Sequence, residues 1–237
     1  MKALVTGASR GIGEAIAKKL AKEGFDLVLT CVYNRSRLQD IADDLISQYN
    51  ISCKAVACDA SSYEQVKSLF DENGDFDVVV NNAGIAHIGL LQDMSIEEWN
   101  NVIGTNLSGV FYTSRLAIPY MLSQGKGHIV NISSMWGQVG ASCEVAYSAS
   151  KGGVDAFTRA LAKELAPSNI SVNAISLGVV DTDMNKCFSN QERSDLEESI
   201  PAGRFASVQE VADMVYLVIS SPEYLTGQII RFDGGFV

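Results

Sequence analysis

Residues 2–13 read Lys-Ala-Leu-Val-Thr-Gly-Ala-Ser-Arg-Gly-Ile-Gly. The apolar run Lys2–Thr6 predicts a strand, and the pattern after it predicts a helix over Gly11–Glu23. Gly7, Gly11 and Gly13 fall at the junction between them. Glycines there let the backbone turn sharply. They also let a pyrophosphate approach the helix N-terminus, where free N–H groups and the helix dipole favour anions. A glycine-rich stretch is common, but its place between strand and helix makes it a dinucleotide-binding expectation. Gly7, Ser9, Arg10, Gly11, Ile12 and Gly13 are the expected contact residues.

The same alternation continues outward along the chain. Further strands are predicted over Asp26–Val32, Ser52–Ala57, Asp77–Val80, His128–Ile132, Ile170–Ile175 and Gln228–Phe232. Helices are predicted over Ser36–Tyr49, Ser62–Asp71, Ile96–Gln124, Tyr147–Ala166 and Val208–Ser220. Short apolar strands alternating with helices imply a parallel sheet covered on both faces. The expected fold class is therefore α/β: a single doubly wound Rossmann domain over 1–237, with a seven-stranded parallel sheet and helices on both faces. No Pro- or Ser-rich linker or repeat divides the 237 residues, a length ample for one large core.

The end of the second strand bears on which dinucleotide binds. An acid there would hold a ribose 2′-OH. The chain has Cys31, Val32, Tyr33 and Asn34 instead, with Arg10 in the loop and Arg35 and Arg37 just beyond. A missing carboxylate beside arginines suits a 2′-phosphate, so the expected cofactor is NADP(H), with Arg10 as its main partner.

Composition excludes several classes. A formal net charge of −10 argues against nucleic acid or an anionic membrane as a partner. No apolar run reaches spanning length, and no charged segment followed by an apolar one suggests a leader. Cys31, Cys53, Cys58, Cys143 and Cys187 form no CxxC pair, which points to free thiols in a reducing, cytoplasmic setting and to no metal site. Cys143 has no histidine near it in sequence to make it a nucleophile.

Tyr147 and Lys151 are four residues apart at a predicted helix start and share one face. A nearby ammonium would lower a phenol's pKa and make it a usable acid or base near neutrality. Ser134 lies 13 residues before Tyr147, and Asn106 lies in an upstream predicted helix.

Together these pieces resemble the short-chain dehydrogenase/reductase family over nearly the whole chain. The matching stretches are the Thr6–Gly13 loop, Asp59, Asn81-Asn82-Ala83-Gly84, the set Asn106, Ser134, Tyr147 and Lys151, then Gly178 and Thr182, and Asp233-Gly234-Gly235. The resemblance implies hydride transfer between a nicotinamide and a carbonyl or secondary alcohol. It implies that Ser134 donates a hydrogen bond to the carbonyl oxygen, that Tyr147 gives that oxygen its proton, and that Lys151 binds the nicotinamide ribose and lowers the Tyr147 pKa. Asn106 would hold a water leading from Lys151 to solvent. Asp59 would meet the adenine, Asn82, Ala83 and Gly84 the adenosine ribose side, and Val180 and Thr182 the carboxamide. Leu177 stands where the family usually has proline; losing that φ constraint implies a looser segment. The stretch Asp183–Ile200 is the expected substrate lid. A homotetramer built through Ile96–Gln124, Tyr147–Ala166 and the C-terminal strand is implied by analogy.

Two substrate readings stay open. Pro201-Ala202-Gly203-Arg204 and Thr226-Gly227 resemble bacterial 3-oxoacyl-carrier-protein reductases of fatty acid biosynthesis, whose ketone is carrier-bound. Ser134-Met135-Trp136-Gly137 and Ala141–Val145 resemble the reductases of the 5-aminopentanone modification on elongation factor P. In that second reading Glu144 would pair with a substrate ammonium and Trp136 would shape the pocket wall; equally, Glu144 suits a helix N-terminus and Trp136 core packing. A non-catalytic NADP(H)-binding regulator is the reading of a different class. Such a protein is expected to lack Tyr147 or Lys151, and this chain has both.

Overall fold

The computed structural model describes residues 1–182 and 189–237. Seven strands form one parallel sheet: β1 (Lys2–Val5), β2 (Asp26–Cys31), β3 (Cys53–Ala57), β4 (Val78–Asn81), β5 (Gly127–Ser134), β6 (Ile170–Leu177) and β7 (Ile229–Phe232). Their order is β3-β2-β1-β4-β5-β6-β7. The chain reverses direction across the sheet between β1 and β4, and the crevice at such a switch point is where doubly wound sheets bind ligands.

The helices are α1 (Gly11–Lys22), α2 (Arg35–Tyr49), α3 (Tyr63–Asn73), α4 (Ile96–Ile103), α5 (Gly109–Gln124), α6 (Trp136–Val139), α7 (Val145–Leu165), α8 (Asn190–Ser199) and α9 (Val208–Ile219). Strand alternation splits the core in two. Ala3, Val5, Leu27, Leu29, Val78 and Val80 face α1, α2 and α9. Leu4, Val28, Val79 and Ile129 face α3, α5 and α7 on the other side. Both faces are buried, which is why these strands read as nearly continuous apolar runs.

Three differences from the sequence expectation matter. The helix expected over Ile96–Gln124 is interrupted by a π-helical turn at Gly104–Ser108, which carries Asn106. Wide turns of this kind are frequent at functional sites because they re-aim one side chain. Second, β5 runs two residues further than expected and ends on Ser134, paired with Leu177 of β6. Ser134 is therefore fixed by the sheet rather than by a loop. Third, the stretch expected to be a lid contains α8, started by a capping box in which Ser189 accepts from the Glu192 backbone and Glu192 from Ser189. The part of that expectation at 183–188 lies outside the described residues, as does Cys187. No described helix is long and apolar enough to cross a membrane.

Candidate active site

The site lies at the C-terminal ends of β1, β4, β5 and β6. At its first edge, Arg10 is extended and precedes α1 without any side-chain cap. The first N–H groups of α1 thus remain available to an anion. Gly7 has φ +66°, and a methyl group added there would lie 2.9 Å from Ala83 Cα. A methyl group at Gly13 would collide with the Gly7 carbonyl oxygen and fall 2.7 Å from Asn82 Nδ2. Ser9 and Gly11 are half-buried on this loop, while Ile12 is half-buried against the core behind it.

The loop after β4 braces this cradle. Thr6 Oγ1 accepts from Asn82 N and Ala83 N, both at 3.0 Å. Asn82 Nδ2 donates to Thr6 O at 2.9 Å and Gly7 O at 3.1 Å. The Asn82 amide nitrogen is therefore spent on the loop itself. Its two donors face the bare carbonyls that the sharp turn exposes.

In the turn after β3, Asp59 Oδ1 accepts from Ser61 N at 2.9 Å and Ser61 Oγ at 2.8 Å, which fixes the turn and leaves Oδ2 free of these bonds. Arg37 is held by Glu14 at 3.1 Å. Arg10 is exposed and makes no side-chain hydrogen bond or ion pair among the described residues. Of the two, Arg10 is the guanidinium open to a phosphate.

Thr182 closes the other side: a methyl group at Gly11 would touch its Cγ2 at 3.7 Å. Val180 is buried and bridges to Ala206. Leu177 is 5% exposed and paired on both sides, with Ser134 and with Phe232. Leu177 itself is held by the sheet. Two ladders hold this residue where the ring's φ constraint would have done so.

The chemistry-bearing side chains converge beyond the cradle. A methyl group at Gly84 would lie 3.5 Å from both Lys151 Nζ and Asn106 Oδ1. Asn106 Nδ2 donates to Ile85 O at 2.9 Å and Ser150 Oγ at 3.0 Å, and Asn106 Oδ1 accepts from Ile85 N at 2.9 Å. An amide has two donors and two acceptor sites, so one Oδ1 lone pair remains. Ser150 Oγ in turn donates to Tyr147 O at 2.7 Å, tying the π-helical turn to α7. Sequence reading passes over Ser150; a serine one position before Lys151 on a buried helix face was the available signal.

Tyr147 stands in the first turn of α7, beside Ser134. Burial pushes the phenol up to about 12; the neighbouring Ser134 hydroxyl offsets this in part, and the Glu144 charge adds to it. The net shift is upward, so burial outweighs any lowering by Lys151 in this structure. Lys151 Nζ donates to Ile132 O at 2.7 Å and lies 5.6 Å from the centroid of the Tyr147 ring, so its charge faces the ring and β5. Burial brings Lys151 itself down to about 8. At neutral pH Tyr147 keeps its proton, the form a proton donor requires.

Glu144 immediately precedes α7, yet its side chain makes no cap hydrogen bond. Partial burial raises its pKa. Its place at the start of α7 keeps the helix-dipole reading of Glu144 open. Trp136 packs edge-on to Phe236 at 6.0 Å between ring centroids, a packing contact.

The comparisons with known proteins agree with this arrangement. Residues 1–193 match the family model described as short chain dehydrogenase. The chain is 39% identical to the 3-oxoacyl-[acyl-carrier-protein] reductase of Aquifex aeolicus, covering 98% of this chain and 95% of that protein. It is 36% identical to the uncharacterized oxidoreductase YmfI of Bacillus subtilis, covering 99% and 98% respectively. A crystal structure of the 3-oxoacyl-[acyl-carrier protein] reductase from Brucella melitensis superposes with a TM-score of 0.93 at 31% identity, covering 100% of this chain and 91% of that one. With a family model and full-length relatives matching in sequence and in fold, the chain belongs to the short-chain dehydrogenase/reductase family and is an oxidoreductase.

Proposed function

We propose that this chain is an NADP(H)-dependent carbonyl reductase whose substrate is a 3-oxoacyl thioester of the carrier-bound kind. The observation that carries the substrate class is the full-length likeness to 3-oxoacyl-[acyl-carrier-protein] reductases. The uncapped start of α1, the glycine cradle and the free Arg10 fit a dinucleotide phosphate. When bound, the reduced nicotinamide supplies a hydride to the carbonyl carbon. Ser134 Oγ holds the carbonyl oxygen by a hydrogen bond, and Tyr147 passes it a proton, completing the alcohol. Lys151 offsets the phenolate charge left on Tyr147. Asn106, through its remaining lone pair, holds a water leading from Lys151 to solvent, and Asp59, Ala83, Gly84, Val180 and Thr182 line the rest of the cofactor's path.

Arg10 is the expected selector of the 2′-phosphate. Arg10→Ala is expected to weaken NADPH binding about tenfold or more, consistent with loss of a charge-assisted bond worth about 1.5–3 kcal/mol, and to leave the NADH dissociation constant unchanged. Fluorescence titration with both cofactors measures this. Equal weakening of both would remove the role.

A second substrate reading is favoured by Glu144, a half-buried carboxylate beside Tyr147 that no side-chain donor among the described residues satisfies. It suits the ammonium of an amino-ketone such as 5-aminopentanone. Under that reading Glu144→Gln raises KM for the amino-ketone at least about tenfold and leaves KM for an acetoacetyl thioester alone. Unchanged kinetics on both substrates would dismiss it. Turnover of acetoacetyl thioesters in preference to aminopentanone supports the primary reading; the reverse preference overturns it. Homotetramer assembly is part of the same proposal, supported by Phe111 and Leu122, apolar and exposed on α5, as is a cytoplasmic setting.

A further inference from the structure

Asp155 stands one helical turn beyond Lys151 on α7, so both project from the same face. Lys151 is 4% exposed and Asp155 is 3% exposed. Charged groups are almost never buried this deeply unless they are paired. The Asp155 partner is Ser133, whose Oγ donates to Asp155 Oδ1 at 2.6 Å and approaches Lys151 O at 3.4 Å. Ser133 sits on β5 between Ile132, whose carbonyl accepts Lys151 Nζ, and Ser134, which meets Tyr147. Three consecutive residues of one strand thus touch Asp155, Lys151 and Tyr147.

The charges facing each group are few. On Lys151, burial disfavours the charge, and the Asp155 carboxylate is the one charge that opposes it. Tyr147 presents its ring to Lys151 from the same helix. On Asp155, burial acts upward, and Ser133, Arg159 and Lys151 act downward. Among the described residues, Asp155 is therefore the one counter-charge acting on Lys151, one helical turn further along α7.

We propose that Asp155, braced by Ser133, is a positioning residue that keeps the buried Lys151 ammonium charged. Its value to turnover rests on the reductase reading given above; the coupling between the two side chains does not.

The test is a pH titration of the whole protein carrying carbon-13 lysine, with the Lys151 signal assigned from a Lys151→Arg sample. The wild-type midpoint is expected near about 8. In Asp155→Asn, which keeps the shape and can still accept from Ser133, the midpoint is expected to fall by about one pH unit. Asp155→Glu is expected to restore it. Where the asparagine variant does not fold, Asp155→Ser removes the same charge and is read by the same criterion. An unmoved midpoint in a folded, charge-removed variant overturns the proposal. A chain that reduces no ketone yet shows the shift would remove the reductase reading and leave the coupling; a reductase without the shift would do the reverse.

Discussion

Tyr147→Phe is expected to lower kcat for ketone reduction by about a thousandfold while leaving NADPH binding within about twofold of the wild type. A positioned general acid contributes about 10²–10⁴ in rate, and the phenol oxygen is the only part of Tyr147 removed. The ring, which Lys151 faces at 5.6 Å, stays. So does the Tyr147 carbonyl, which anchors Ser150 and through it Asn106. The loss should fall on kcat, because Tyr147 moves a proton and does not form the cradle. Steady-state kinetics beside a binding titration separate the two. Loss of binding with kcat unchanged would mean that Tyr147 is structural and that another group delivers the proton.

Gly13→Ala should act on the other half of the site. The added methyl group would meet the Gly7 carbonyl, Asn82 Nδ2 at 2.7 Å and Ala8 Cα at 2.9 Å, two of them backbone atoms fixed by β1 and its loop. Overpacking of this kind costs about 1–3 kcal/mol, or roughly 5 °C in melting temperature for a domain of this size. The same displacement opens the cradle, so the stabilisation that a bound cofactor adds to the melt should disappear. Thermal melts with and without NADPH measure both effects. A variant that melts normally and still gains stability from NADPH would show that the cradle is not where the pyrophosphate lies.

The fold was legible because buried parallel strands leave a coarse mark: Leu4, Val28 and Val79 are apolar on one face, and Val5, Leu29 and Val80 on the other. The glycine cradle was legible because sterics restrict it to one residue type. What escaped depends on contacts distant in sequence. Nothing local marks the π-helical turn that aims Asn106 at Ile85 and Ser150. Arg37 ranked behind Arg10 as a phosphate partner on sequence, but the reason, Glu14 of α1 holding it, needed the fold. The Tyr147–Lys151 spacing was read correctly as one face, but spacing says nothing of burial, and burial sets both groups' pKa values here. Helix α8 was missed although Ser189 and Glu192 have capping-box spacing, because Asn190–Ser199 is polar almost throughout and carries no apolar stripe.

The most direct measurement is cofactor absorbance during incubation of the protein with NADPH and a ketone panel that includes acetoacetyl thioesters and aminopentanone. The expected result is stoichiometric oxidation of NADPH with at least one of them, lost in Tyr147→Phe. Tight NADPH binding with no oxidation by any ketone would contradict it and leave a cofactor-binding regulator in its place.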